Sequence, residues 1–159
     1  VRNLGREITS EFKDSEKIVA VGVLRGCVIF LADLVREIKL PVEIDFVEVS
    51  SYGNSMESSQ EVKIHKDISG EIRGRDVLLV EDIIDTGHTM IFIQNLLQSH
   101  NPRKLKVVTL LDKPSRREVE VNADFTGFEV PDEWVGGYGF DYAQRNRNLP
   151  FIGKVSFNA

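Results

Sequence analysis

One segment of the chain places acidic, hydroxyl and small residues directly after an apolar run. Val77–Val80 is apolar, Glu81 and Asp82 follow at once, and Asp85 opens a turn of small and polar residues that runs to Met90. In parallel α/β sheets, ligands collect at the carboxyl ends of strands, where the next helix offers free backbone N–H groups and a positive dipole end to a phosphate. The turn is therefore a candidate cradle for a monophosphate.

The residue types in and beside this turn suit different parts of a phosphorylated sugar. Gly87 lets the backbone approach a phosphate closely, and Thr86 and Thr89 add hydroxyl donors. Glu81 and Asp82 would repel a phosphate, since they carry the same charge. They suit ribose hydroxyls, or a hard cation with oxygen ligands such as Mg²⁺ that shares the substrate's phosphates.

A purely local role for the same residues is also open. Asp85 or Thr86 could cap the following helix, and Glu81 and Asp82 would then be a solvated acidic turn. For an acidic turn considered alone, this local role is the more common one. The rest of the sequence has to decide between the two.

Strand and helix patterns alternate along the chain. Apolar spacing predicts helices over residues 4–12, 28–39 and 90–98, and apolar or β-branched runs predict strands over 18–23, 42–50, 62–64, 76–80 and 105–111. This alternation favours an α/β fold with a mostly parallel sheet covered by helices on both faces. The short segments 124–128, 134–137 and 152–157 predict a small hood, to which we expect both ends of the chain to contribute.

Composition narrows the classes of function. Hydrophobic residues make up 42% and charged residues 28%, as in soluble globular proteins. The 20 Lys and Arg against 25 Asp and Glu give a net charge of −5, which argues against nucleic-acid binding. Apolar runs such as Val107–Leu111 are far shorter than the roughly 18 residues that span a bilayer. With Cys27 as its one cysteine, the chain fits a reducing compartment, so we expect a cytoplasmic protein without membrane contacts.

Five segments together resemble the type I phosphoribosyltransferase family, in its branch that uses hypoxanthine and guanine. The resemblance runs in register from about Gly5 to Lys154 and is closest to the short bacterial enzymes. The matching segments are the phosphoribosyl-pyrophosphate motif Glu81–Thr89, the pyrophosphate loop Val23–Gly26, the flexible loop Ser50–Gly53, the purine-selecting segment Leu110–Pro114 and the hood Val130–Tyr142.

The resemblance implies a purine-salvage enzyme that transfers the phosphoribosyl group of phosphoribosyl pyrophosphate to a 6-oxopurine. It also implies the type I phosphoribosyltransferase fold in a single domain, residues 1–159, trimmed at its ends, and a homodimer or homotetramer. Asp85 is expected to accept the proton at purine N7. Glu81 and Asp82 are expected to hold the ribose hydroxyls and, with Asp141, a Mg²⁺ ion.

Roles on the pyrophosphate side follow from the same resemblance. Arg25, Gly26 and Arg147 are expected to bind pyrophosphate, and the peptide bond between Leu24 and Arg25 is expected to be cis. The polar loop Ser51–Gln60 is expected to be mobile and to close over bound substrates, because excluding water protects an oxocarbenium-like centre from hydrolysis.

On the base side, the resemblance implies that Lys113 donates to purine O6, Trp134 stacks on the base and Val135 supplies backbone contacts. Trp134 stands where Phe or Tyr is usual, which narrows the pocket, and Gly136 stands where Val is common, which widens it. The complete set of expected substrate-binding residues is Arg25, Gly26, Glu81, Asp82, Asp85, Thr86, Gly87, His88, Thr89, Met90, Lys113, Trp134, Val135, Asp141 and Arg147.

Other functions remain open at this point. The same fold could use xanthine or adenine, and Lys113 speaks against adenine because an ammonium cannot accept a hydrogen bond from a 6-amino group. An RNA-binding regulator on this fold would need a basic face, against which the net charge of −5 argues. A structural module without activity is the third alternative, and it explains none of the five matching segments.

Overall fold

Helices and strands alternate through residues 1–51 and 62–156, which the computed structural model describes. The helices are α1 (Arg2–Glu11), α2 (Val28–Glu37) and α3 (His88–Ser99), with a short 3-10 helix at Pro114–Arg116. The strands are β1 (Ile18–Leu24), β2 (Val42–Ser51), β3 (Val62–Lys66), β4 (Asp76–Ile84), β5 (Lys104–Asp112), β6 (Phe125–Glu129), β7 (Val135–Gly136) and β8 (Gly153–Lys154). No helix within the described ranges is long and apolar enough to cross a membrane.

Six strands form one twisted sheet in the order β3-β2-β1-β4-β5-β6. All neighbours run parallel except β2 and β3, which confirms the prediction of a mostly parallel sheet. From β1 the chain builds the sheet toward β2, and from β4 it builds in the opposite direction toward β5. The carboxyl ends of β1 and β4 therefore border a topological switch point, where open α/β sheets bind ligands.

The two faces of this sheet carry separate apolar clusters because side chains alternate along each strand. In β1, Ile18 and Ala20 are buried against α1 and α2, whereas Val19 and Val21 are buried in the cluster that contains α3. Cys27 is fully buried, as expected for a small core residue. The alternation holds β4 between two apolar layers, so the position of its carboxyl end is fixed.

The hood differs from the prediction in its make-up. Segment 124–128 was expected in the hood, but β6 is the parallel edge strand of the main sheet. The Asp124 carboxylate accepts the Val107 N–H at 2.8 Å and pairs with Lys106 at 2.8 Å, which docks the start of β6 onto β5. The hood sheet consists of β7 and β8 alone.

The N-terminal end of the chain also lies elsewhere than predicted. Leu4, Ile8 and Phe12 are buried together with residues of α2 against the main sheet. Helix α1 is therefore part of the layer of helices, because its apolar face is needed to cover the sheet, and the N-terminal end adds no strand to the hood. The predicted mobile loop Ser51–Gln60 lies outside the described residues, apart from the backbone of Ser51 at the end of β2.

Candidate active site

The sequence predicted that β4 stops before the acidic residues. In the structure the strand continues through them. The strand ends at Ile84, so Glu81 and Asp82 lie near its carboxyl end and their backbones are held in the sheet. Glu81 is buried and Asp82 is half-buried. The Glu81 carboxylate accepts the backbone N–H of Asp82 at 3.1 Å, and the Asp82 carboxylate accepts that of Ile83 at 2.8 Å. These are not the solvated residues of an acidic turn.

Burial sets the electrostatics of this carboxylate pair. Burial raises the pKa of Glu81 well above its usual value, and the neighbouring charge of Asp82 raises it further. Burial also raises the pKa of Asp82, against the lowering effect of its hydrogen bonds and of the charge on Arg147. Neither carboxylate forms an ion pair with any residue of the described ranges. The pair is therefore suited to bind hydroxyl donors or a cation.

The turn after β1 packs directly on this pair. The peptide bond between Leu24 and Arg25 is cis, which confirms the expectation for this loop. A Cβ atom on Gly26 would lie 1.7 Å from Oδ2 of Asp82, so only glycine fits between the loop and the carboxylate. Arg25 is exposed and its Nε lies 3.6 Å from Oε1 of Glu48.

The start of α3 forms the candidate phosphate cradle. Its N-cap is Gly87, in a left-handed conformation with φ of 96°, and no side chain caps the helix. The alternative in which Asp85 or Thr86 caps α3 is therefore wrong. The N–H groups of the first turn have no side-chain acceptor from the cap position, so they are available to an anion.

Two cavities meet at the end of β4. The phosphate-side cavity has a volume of about 230 Å³, and the base-side cavity has a volume of about 170 Å³. The phosphate-side cavity is lined by Val23, Leu24, Val49, Glu81, Ile83, Ile84, Asp85, Thr86, Gly87, Thr89 and Met90. The base-side cavity is lined by Asp82, Ile83, Asp85, Lys113, Trp134, Val135, Phe140 and Asp141. Asp85 is the one ionisable residue that both linings share.

The base-side cavity brings together residues that are far apart in sequence. Lys113 is 7% exposed although it follows the last residue of β5, so it is not a solvated turn residue. Trp134 is 62% exposed and stands edge-on to Tyr142, with ring centroids 5.9 Å apart. Its large exposed face excludes a role as an ordinary core residue and is available to an aromatic ligand.

The far wall of this cavity is held by Arg147. Its guanidinium donates to the backbone oxygen of Gly139 at 2.7 Å and pairs with Asp141 at 2.7 Å. The hood is also joined to α2, because the Tyr138 hydroxyl lies 2.5 Å from the Asp33 carboxylate, to which it donates. These contacts place the charges of Asp141 and Arg147 close to Asp82.

Four of the expected binding residues lie outside the two linings. Gly26 and Arg147 lie close to Asp82, and Arg25 points to Glu48. His88 lies at the start of α3, where its Nε2 is 2.8 Å from Oε2 of Glu118. The ring of His88 is therefore engaged with the segment after the 3-10 helix.

Three further charged residues, Arg116, Arg117 and Asp132, were missed by the sequence analysis. Arg116 donates from Nε to Oδ1 of Asp85 at 3.1 Å, and it lies 3.7 Å from Asp132. Arg117 donates to the backbone oxygen of Asp85 and to the carboxylate of Asp112. The available signal was the pair Arg116 and Arg117, which follows β5 by a few residues, because residues after a parallel strand lie at the ligand-binding edge.

The residues present fit a Mg²⁺ ion that arrives with a substrate. The described residues contain no cluster of three or more metal-binding side chains. Glu81 and Asp82 nevertheless supply adjoining hard oxygen donors, and Mg²⁺ is commonly held by one or two carboxylates together with substrate phosphates and water. Asp141, the third expected ligand, lines the same cavity as Asp82 and is paired with Arg147.

Known proteins of one family resemble this chain in both sequence and structure. The sequence profile of the phosphoribosyl transferase domain matches residues 1–143. The chain is 54% identical over 156 residues to the hypoxanthine phosphoribosyltransferase of Salmonella typhimurium, covering 98% of this chain and 88% of that protein. It is 53% identical over 153 residues to the hypoxanthine-guanine phosphoribosyltransferase of Bacillus subtilis, covering 96% of this chain and 84% of that protein.

Solved structures give the same result. A hypoxanthine-guanine phosphoribosyltransferase from Bacillus anthracis superposes with a TM-score of 0.88 at 46% identity, covering 96% of this chain and 88% of that one. A hypoxanthine phosphoribosyltransferase from Trypanosoma cruzi, in a ternary substrates complex, superposes with a TM-score of 0.92 at 35% identity, covering 98% and 88%.

Proposed function

The chain belongs to the phosphoribosyl transferase domain family, and from this premise we propose that it transfers the phosphoribosyl group of phosphoribosyl pyrophosphate to hypoxanthine or guanine. The products are the purine nucleoside 5′-monophosphate and pyrophosphate. The observation that carries the proposal is the position of Asp85, which lines both the phosphate-side and the base-side cavity. A proton acceptor for a reaction between a sugar phosphate and a purine must lie at such a junction.

The donor, phosphoribosyl pyrophosphate, binds both to the start of α3 and to the carboxylate pair. Its 5′-phosphate binds the free N–H groups at the start of α3, with the hydroxyls of Thr86 and Thr89 as further donors. Glu81 and Asp82 accept hydrogen bonds from the ribose hydroxyls. Arg147, whose charge acts on Asp82, and Arg25, in the loop that packs on Asp82, attract the pyrophosphate, which leaves with the bonding electrons of the broken C–O bond.

The purine occupies the base-side cavity. Trp134 offers its exposed ring to the base, and the buried ammonium of Lys113 donates to O6. The ring nitrogen N9 forms the new bond to the ribose carbon while Asp85 accepts the proton that leaves N7. The preference for a 6-oxo group over a 6-amino group follows from Lys113, which has donors and no acceptor.

A Mg²⁺ ion held by Glu81 and Asp82, with Asp141 nearby, would supply charge neutralisation for the departing pyrophosphate. The raised pKa of both members of the pair supports this assignment, because burial without an ion-pair partner makes their charged forms costly. The Asp141 carboxylate is engaged by Arg147 and accepts the backbone N–H of Gln144, so Glu81 and Asp82 would be the main ligands.

We further propose that the enzyme acts in the cytoplasm, where purine salvage operates, as a homodimer or homotetramer. Sedimentation of the purified protein at the mass of a single chain would contradict the oligomer and leave the activity untouched.

A steady-state assay of pyrophosphate release, with hypoxanthine, guanine, xanthine and adenine as alternative acceptors, tests the function. Hypoxanthine or guanine should be turned over, and adenine should be used at least about tenfold to a hundredfold less well, because it leaves polar groups unpaired in the pocket. Efficient use of adenine, or no turnover with any of the four purines, would overturn the proposal.

A further inference from the structure

A chain of oppositely charged side chains connects the two functional ends of the base-side cavity. Nζ of Lys113 lies 3.9 Å from Oδ1 of Asp132, which lies 3.7 Å from Nε of Arg116. Nε of Arg116 in turn lies 3.1 Å from Oδ1 of Asp85. We call Lys113, Asp132, Arg116 and Asp85 the base-pocket ion chain.

Backbone contacts hold the elements that carry this chain. The N–H of Lys113 donates to the oxygen of Ile84 at 3.0 Å, which ties the residue after β5 to the end of β4. The N–H of Arg116 donates to the oxygen of Lys113 at 3.0 Å. Arg117 bonds both the backbone of Asp85 and the side chain of Asp112. The backbones of Lys113, Arg116 and Asp85 are therefore held close to one another by the fold.

The two inner members of the base-pocket ion chain do not belong to the site's lining. Neither cavity lining described above includes Asp132 or Arg116, whereas Lys113 and Asp85 line the base-side cavity. Asp132 and Arg116 are both exposed, and each bridges two charges of the opposite sign. They are placed to act on a substrate only through Lys113 and Asp85.

Each end of the base-pocket ion chain has a hydrogen-bonding position left for the purine. The Lys113 ammonium has three N–H donors, and the charge of Asp132, 3.9 Å away, attracts the ammonium from one side. Arg116 bonds Oδ1 of Asp85, and the described residues bond no donor to Oδ2. The Oδ2 atom is thus available to accept a proton.

We propose that Asp132 and Arg116 are positioning residues that hold the Lys113 ammonium and the Asp85 carboxylate in the relative placement the purine needs. This rests on the proposed function, in which Lys113 binds O6 and Asp85 accepts the N7 proton. Asp132 acts on purine binding, and Arg116 acts on proton acceptance. The two substitutions therefore have different kinetic signatures.

Steady-state kinetics of Asp132→Asn and Arg116→Gln separate these signatures. Asp132→Asn raises KM for hypoxanthine about three- to tenfold, and Arg116→Gln lowers kcat by about the same factor, as expected for partly exposed charge pairs that position a reacting group. KM for phosphoribosyl pyrophosphate stays unchanged in both. The conservative Arg116→Lys, which keeps the charge, recovers part of kcat.

Two matched controls remove comparable ion pairs outside the site. Glu133 adjoins Asp132 in sequence, and Glu133→Gln breaks its pair with Lys154. Arg73→Gln breaks the exposed pair with Glu71. Both controls keep the kinetic constants of the starting protein. Urea unfolding midpoints of all variants identify any that are destabilised, and for those Asp132→Glu and Arg116→Lys replace the original pair.

Double-mutant cycles decide the proposal. In the Lys113→Met background, Asp132→Asn has no further effect on KM for hypoxanthine. In the Asp85→Asn background, Arg116→Gln has no further effect on kcat. Effects that multiply independently in both cycles would overturn the positioning roles. If Lys113→Met and Asp85→Asn themselves leave the kinetics unchanged, the proposed function fails instead.

Discussion

The carboxylate of Asp82 fills the space in which a side chain on Gly26 would lie. A Cβ atom at residue 26 would be 1.7 Å from Oδ2 of Asp82, far inside van der Waals contact. The loop after β1 and the end of β4 therefore meet backbone to carboxylate, across the switch point of the sheet. This contact places the residues assigned to pyrophosphate beside the pair assigned to ribose and metal.

Gly26→Ala should impair the donor site more than the fold. The added methyl group pushes the Asp82 carboxylate aside, so we expect at least about a tenfold loss in kcat/KM for phosphoribosyl pyrophosphate, corresponding to about 1.4 kcal/mol. The control is Gly70→Ala, where the nearest atom to a Cβ lies 3.6 Å away. Equal kinetics in the two variants would show that the contact has no role in catalysis.

Glu81→Gln should stabilise the protein while it lowers activity. Burial raises the pKa of Glu81, so its ionised form costs folding free energy, and stability is lost as the pH rises from the usual to the raised pKa. A neutral Gln removes that cost. We expect a gain of about 0.5–2 kcal/mol in the free energy of unfolding at pH 8 without Mg²⁺, which shrinks toward pH 4.

Urea unfolding of wild type and Glu81→Gln across this pH range measures the effect, with the exposed Glu16→Gln as control. A gap that is independent of pH would contradict the electrostatic explanation. A loss of stability in Glu81→Gln at pH 8 would contradict it as well.

Asp76→Asn should show the opposite pH dependence. Asp76 is 2% exposed at the start of β4, and Arg103 donates to it from Nε at 2.8 Å and from a second nitrogen. The hydrogen bond from Arg103 is the main factor that lowers the pKa of Asp76. Its stabilising contribution is present above the usual Asp value of about 3.9 and is lost as the pH falls through the lowered pKa.

Replacement of Asp76 by Asn should therefore cost about 1–3 kcal/mol at pH 7 and less at pH 3. Chemical denaturation at several pH values gives the difference from wild type. A cost that persists undiminished at pH 2 would rule out the ionised carboxylate as its source.

Asp85→Asn should lower kcat by roughly 10²–10⁴, the usual contribution of a general base. The amide still accepts a hydrogen bond from Arg116 but cannot take up the purine proton, so KM for the donor should change little. Single-turnover measurement of nucleotide formation tests this directly, with the exposed Asp14→Asn as control. An unchanged rate would remove Asp85 from the role of proton acceptor.

The sequence predicted the central sheet well because local patterns determine it. Apolar runs such as Ile18–Val23 are buried on both sides, and they match β1 and β5 to within one residue at each end, whereas β4 runs four residues beyond its apolar run. The placement of β6 could not be predicted in the same way. It depends on the Asp124 side chain reaching the backbone of Val107, a contact between segments that no periodicity encodes.

The candidate site also has one part that local sequence predicts and one part that depends on tertiary packing. The phosphate cradle is one continuous segment, so its strand, turn and helix were readable from Val77 to Met90. Asp132 and Arg116 gain their importance only from distances to Lys113 and Asp85 across three loops. Such distances follow from tertiary packing, and the order of residues indicates only that Arg116 follows β5 at the ligand-binding edge.

The preference of the enzyme for 6-oxo over 6-amino purines, and its dependence on Lys113, tests the central claim most directly. The measurement is the ratio of kcat/KM for hypoxanthine to that for adenine, in wild type and in Lys113→Gln, with the exposed Lys39→Gln as control. We predict a ratio of at least about ten to a hundred in wild type and in the control. In Lys113→Gln the ratio should fall toward one, because an amide can turn its oxygen to the amino group or its nitrogen to the oxo group. A ratio that stays the same in Lys113→Gln would contradict the assignment of Lys113 to the base.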